Sequence, residues 1–197
     1  VLAGVLLLVS LAFAMTRMAR PGSSSSEASP ETTTEMGAAG WVSEWASDPR
    51  GSALGRQISL YRPSVGLSNY SLEFTGRIER RSLGWVFRAA DTRNYYVAKV
   101  QESPSGGRLM LTRFAVVGGL EGAHTRITFP VLASVGAFKI RLEARRSRFT
   151  IYVQNQIADH WQEGQLTTGG VGFLNEREER GRVESVRISV LKDGTGQ

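Results

Sequence analysis

Cysteine is absent from the 197-residue chain, which rules out disulfides, thiolate metal sites and cysteine nucleophiles. Lysine is scarce: Lys99, Lys139 and Lys192 are the only ones, and all other basic charge is arginine. Histidine is confined to His124 and His160, which do not share a metal-ligand spacing. Beyond residue 40 no useful stretch carries a helical hydrophobic period, and no fixed-period self-similarity runs along the chain, so α/β folds and solenoids are disfavoured. The formal charge of +6 admits acidic partners, but the arginines mostly alternate with apolar residues, as on a solvated sheet face. The aromatic-basic pattern of an RNA-binding sheet is missing, and no nucleic-acid partner is expected.

What is present is enough apolar residue, 41%, for one sizeable core. Four segments are expected: residues 1–20, a membrane anchor or signal peptide; 21–40, a linker; 41–192, the folded domain; 193–197, a short tail. Val1–Met15 is apolar without a charge and then meets Arg17 and Arg20. A full span needs about 20 apolar residues, so this hydrophobic helix is short for one. Two readings compete: an anchor, or a signal peptide cleaved near Ala12-Phe13-Ala14. Arginines directly after a cleavage site hinder export, which favours the anchor. The expected location is membrane-anchored with the domain extracytoplasmic. Arg17 and Arg20 oppose that orientation, and the charge of whatever precedes Val1 decides it. Residues 21–40, rich in Ser, Thr, Pro, Gly and Glu, have almost nothing to bury and read as a disordered tether.

After the tether the period becomes two. The centrepiece is Ser82–Gln101, read as strands over 83–90 and 95–101 joined by the turn Asp91-Thr92-Arg93-Asn94. Further strands are expected over 41–45, 55–62, 69–79, 108–117, 124–129, 138–145, 148–153, 157–161, 170–174 and 183–191. The cleanest alternation is Phe138–Arg145, with Phe138, Ile140, Leu142 and Ala144 on one face and Lys139, Arg141, Glu143 and Arg145 on the other. Short strands punctuated by Gly, Pro and Asn predict an all-β protein, a two-sheet antiparallel jelly-roll sandwich.

Three pieces in order carry a family resemblance: Gly84–Tyr96, with Gly-apolar-apolar-Phe-Arg leading to Asn-Tyr-Tyr; the Tyr152–Gln156 hairpin; and the Gly169–Phe173 strand. Together they make residues 41–192 resemble the concanavalin A-like lectin/glucanase superfamily, its laminin-G-like domains and related sugar-hydrolase-like modules of bacteria. The resemblance implies the jelly roll but selects no single function, since the fold hosts lectins, hydrolases and adhesion modules alike. Members often hold calcium at a sandwich edge. Asp48, Asp159 and Asp193 offer oxygens here, but their spacing does not select them, and no cofactor is expected.

The hydrolases of that superfamily use two carboxylates about 5–9 Å apart. The one acidic cluster, Glu176, Glu178 and Glu179, is interleaved with Arg177 and Arg180 and reads as a solvated turn with local ion pairs. A Ser-His-Asp site lacks a nucleophile elbow, and the Gly118-Gly119 and Gly169-Gly170 pairs read as turn and bulge glycines rather than phosphate cradles. The expectation is therefore a non-catalytic binding module for a glycan or other cell-surface polymer, with a glycoside hydrolase using an unrecognised carboxylate pair as the alternative. Sugars need aromatic platforms flanked by charged and amide groups. The candidate ligand-binding residues are Arg88, Asn94, Tyr96, Arg141 and Trp161, with Arg88 and Tyr96 sharing a face if the hairpin is symmetrical about its turn. The competing reading pairs Arg88 with a strand carboxylate such as Glu73 and puts the aromatics in the core. Oligomeric state is left open.

Overall fold

A computed structural model describes residues 32–36, 39–132 and 136–192. The expected N-terminal helix, most of the expected linker and the tail 193–197 lie outside the described residues. The described chain runs β1 (Thr32–Glu35), β2 (Trp41–Trp45), α1 (Pro49–Leu54), β3 (Gln57–Tyr61), β4 (Asn69–Arg80), β5 (Ser82–Asp91), β6 (Asn94–Glu102), β7 (Arg108–Val117), β8 (Leu120–Glu121), β9 (Thr125–Leu132), β10 (Phe138–Arg145), β11 (Arg148–Val153), β12 (Gln156–Gln162), β13 (Gly170–Asn175) and β14 (Arg180–Val190).

These strands form an antiparallel two-sheet sandwich. One sheet has the order β1-β14-β4-β10-β11-β12; the other has the order β2-β3-β13-β5-β6-β7-β8, with β9 also paired to β7. The alternation of β10 does what its sequence requires. Phe138, Ile140, Leu142 and Ala144 are buried, while Lys139, Arg141, Glu143 and Arg145 point outward. The inward faces meet in one large core that includes Tyr70, Leu72, Phe74, Trp85, Phe87, Tyr96, Leu111, Ile140, Leu142 and Phe149.

The eight-stranded sheet is apolar on both faces in its middle, which is why β5 and β6 read as continuous rather than alternating runs. Its outer face carries a second cluster of Ile58, Leu60, Val86, Tyr95, Val97, Phe114, Val116 and Leu174, joined by Ala46. The cover is local. Asp48 caps α1, its carboxylate accepting from the Gly51 amide at 2.6 Å, and Ala46 donates its amide to the Arg56 carbonyl at 2.9 Å.

Two departures from the sequence expectations matter. Thr32–Glu35, assigned to the tether, is a strand paired with Val190–Arg187 of β14, and the Met36 that follows it is buried in the core. Its threonines and lone apolar Met36 gave too short a pattern to separate from the tether. The central hairpin is also asymmetrical. Asp91 pairs with Asn94 but Phe87 pairs with Tyr96, so residues 88–90 of β5 face Tyr95 alone. Arg88 sits in this bulge with φ at 51°, and Gly169 (φ 140°) passes so close that a Cβ there would lie 2.4 Å from the Arg88 carbonyl carbon.

Candidate functional site

The bulge decides the position of Arg88. Its side chain turns inward, fully buried, donating from Nη1 to the Leu67 carbonyl (3.1 Å) and from Nη2 to the Arg146 carbonyl (2.8 Å). The guanidinium lies over the rings of Tyr70 and Phe149, at 5.3 and 5.5 Å. Burial lowers its pKa below that of an ordinary arginine. Glu73, the suggested partner, pairs with Lys139 instead, at 2.8 Å. Arg88 is thus a buried strut with no exposed face.

The other expected residues are scattered. Tyr96 is buried; its ring packs against Phe87 and Phe149, and its hydroxyl accepts from the Leu166 amide at 3.0 Å. Trp161 lies beside Tyr96 at the rim of a depression of about 300 Å³, with Phe149 stacked on its indole at 5.1 Å and the Arg113 guanidinium over the ring at 4.5 Å. Asn94 is a turn clamp, donating to Asp91 and accepting from the Gly118 amide at 2.8 Å. Arg141 lies on the outer face of the six-stranded sheet with its guanidinium 4.0 Å from the Tyr152 ring centroid. The structure brings Tyr96 and Trp161 together and leaves Asn94 and Arg141 apart from them.

A different constellation forms on the outer face of the eight-stranded sheet, where a depression of about 320 Å³ is walled by the segment around α1 and the loop between β13 and β14. Lys99, Thr112 and Arg126 are successive cross-strand partners on β6, β7 and β9, so their side chains share this face. Beside them Phe114 and His124 stack with ring centroids 4.3 Å apart and planes 3° from parallel. The Arg56 guanidinium also lies over the Phe114 ring, at 5.2 Å, and the His124 Nε2 is 2.6 Å from Glu121.

The floor is an ion network. Arg56, only 1% exposed, donates to Glu176 (2.8 Å), Glu121 (2.9 Å) and the Tyr95 hydroxyl (3.2 Å), and Tyr95 in turn donates to Asp48 (3.1 Å). Lys99 bridges Glu176 at 2.8 Å and Glu179 at 2.7 Å. Burial works against the charge on Arg56, yet Tyr95, Glu121 and Glu176 outweigh it and its pKa stays above the ordinary arginine value. Burial by itself would also raise Glu176, but Lys99 and Arg56 hold its carboxyl below the usual range. The solvated-turn expectation for 176–179 is corrected here. Glu178 does face solvent beside Arg80 and Arg81, whereas Glu176 is buried and tied to residues far away in the chain.

Two polar groups in the depression are uncommitted. The Thr112 Oγ1 is buried without a hydrogen-bond partner, and among the described residues Arg126, exposed at the rim, meets no carboxylate. A buried hydroxyl without a partner costs about 1–3 kcal/mol, and Arg126 is the cross-strand neighbour of Thr112 on β9. Sequence reasoning passed over this set. One signal was available: Lys99 interrupts the apolar run of β6, and a charge in a strand buried on both faces needs partners close by.

Among the described residues no group of three or more His, Asp or Glu converges on one point. Asp48 is spent on Tyr95 and the α1 cap, Asp159 pairs with Arg113 at 2.6 Å, and Asp193 lies outside the described residues.

The layers, strand order and inward-facing core define a concanavalin A-like jelly roll. Among solved structures, the carbohydrate binding module CBM66 from Bacillus subtilis matches with a TM-score of 0.58 at 19% identity, over 75% of this chain and 94% of that one. Galectin-11 from sheep matches with a TM-score of 0.49 at 10% identity, over 68% of this chain and 95% of that one. No protein-family model matches the sequence. No curated protein matches it either.

Proposed function

We propose that this chain is a non-catalytic glycan-binding module, held at a membrane by its N-terminal apolar segment, and that the sugar lies in the depression on the outer face of the eight-stranded sheet. The observation that carries this reading is the orphaned Thr112 hydroxyl beside the free Arg126 guanidinium and the stacked Phe114–His124 pair. A pyranose or furanose ring offers C–H faces for the imidazole and hydroxyls for Thr112, Arg126 and the amide of Gln101, which also lines the depression, and this is the division of labour that sugar recognition uses. The fold match to a protein whose name is carbohydrate binding module supports the same class of ligand.

The hydrolase alternative meets an electrostatic obstacle. A glycosidase acid must keep its proton near neutral pH, and Glu176 is held ionised by two cations. Incubating the full chain with a panel of immobilised glycans tests the proposal, with reducing-sugar release measured in parallel. Retention of one structural class of glycan without release is the expected result. Release of reducing sugar would replace the binder by the enzyme.

A further inference from the structure

A second feature lies on the opposite sheet. The turn between β10 and β11 carries Arg145, Arg146 and Arg148, and Lys192 joins them around a depression of about 370 Å³ that also takes in Asn69, Glu143 and Thr150. Arg145 and Arg148 are direct cross-strand partners, an arrangement in which like charges repel. Arg146, Arg148 and Lys192 are exposed. Among the described residues that line the depression Glu143 is the one carboxylate, and Arg141 lies 3.6 Å from it.

The turn is held from two sides. Its Arg146 has φ at 51°, its amide donates to the Asn69 Oδ1 at 2.8 Å, and its carbonyl accepts from the buried Arg88 at 2.8 Å. The buried arginine of the core therefore fixes the loop that displays the cations.

The place where the tether joins the fold supplies the second observation. Thr32, the first described residue, pairs with Val190, and Leu191 donates its amide to Asn69 in the row that also holds Arg145 and Arg148. β1 and β10 are three strand spacings apart, about 14 Å. Residues 16–31, which separate the apolar run from Thr32, are sixteen in number and so can reach at most about 55 Å.

We infer that the Arg145–Arg146–Arg148–Lys192 surface docks the domain onto an anionic phospholipid bilayer, the one into which Val1–Met15 inserts, leaving the glycan face on the other sheet pointing away. This rests on the membrane reading of the N-terminal segment and is independent of the glycan site. Charge complementarity selects the occupant, because basic clusters beside a membrane anchor are drawn to acidic headgroups and the short tether keeps the local concentration of surface high.

The absence of cysteine makes the test direct. The full chain carrying Ser147→Cys, labelled with a fluorophore at that position, is mixed with vesicles of phosphatidylcholine alone or with about a third phosphatidylglycerol, each containing a headgroup quencher. Flotation with the phosphatidylcholine vesicles reports the anchor; quenching reports docking. The expected result is flotation with both compositions but strong quenching only with phosphatidylglycerol, abolished by 0.5 M salt. One cation near an acidic surface is worth about a fivefold change in partition, so Arg148→Glu with Lys192→Glu, both exposed, should lower the docked-to-undocked ratio at least about twentyfold. Flotation with equal quenching in both compositions, or quenching unmoved by the double substitution, overturns the docking surface while leaving the anchor intact. No flotation with phosphatidylcholine but quenching with phosphatidylglycerol removes the anchor and keeps the docking surface. Neither signal overturns both.

Discussion

In the outer layer of the eight-stranded sheet Glu176 meets both Arg56 and Lys99, with Glu121 and Glu179 completing the set. Replacing Glu176 by Gln keeps the shape and removes the charge, and the expected cost is about 1–3 kcal/mol. Because its folded-state pKa is depressed, its contribution is present above the unfolded value near 4.3 and fades as pH falls through the folded value. The Gln variant should therefore show a flatter loss of stability on acidification in urea melts taken from neutral pH downward. At the alkaline end the sign reverses. Tyr70 and Tyr95 are each pushed up to about 12, chiefly by burial, so the stability they contribute is whole below the unfolded value near 10 and lost as pH rises toward 12. Absorbance titration of phenolate should show these tyrosines ionising together with unfolding; a simple titration of every tyrosine near pH 10 would contradict their burial.

At the scale of elements, β10 is the simplest case, since one face meets the core and the other meets water. Truncating Ile140 to Ala is expected to cost about 2–5 kcal/mol by chemical denaturation, because the methyls removed leave a cavity in a packed interior. β1 gives the sharper test. A chain beginning at Thr32 should match the full chain in stability, whereas one beginning at Trp41 loses the burial of Met36, worth about 1.5–3 kcal/mol, and turns β14 into an open edge. Equal melting temperatures for the two truncations would show that β1 adds nothing. What could be read from the sequence follows the same physics. Strands with period-two alternation or an Asp-to-Asn turn announced themselves. β1, with four residues and one buried neighbour, did not. Nor did the bulge at Arg88, whose backbone is approached closely by Gly169, just before β13 and far along the chain. That bulge turned an expected ligand contact into an interior strut.

For the whole molecule, the sandwich separates two chemistries by sheet: a turn of cations on one outer face and a half-satisfied polar depression on the other. The depression was hidden from sequence reading because Arg56, Lys99, Thr112, Glu121, Arg126 and Glu176 come from six separate stretches and meet only when the strands register. Thr112 tests whether that depression is a site or an imperfection. Thr112→Val removes the orphaned hydroxyl at nearly constant shape, so the free protein should keep or slightly gain stability. The measurement that bears most directly on the central claim is calorimetric titration of the glycan retained on the panel into the full chain, into Thr112→Val and into Arg126→Ala. Affinity should fall about tenfold or more in each variant while the melting temperature holds or rises. Wild-type affinity in both variants would contradict the assignment of the glycan to this face.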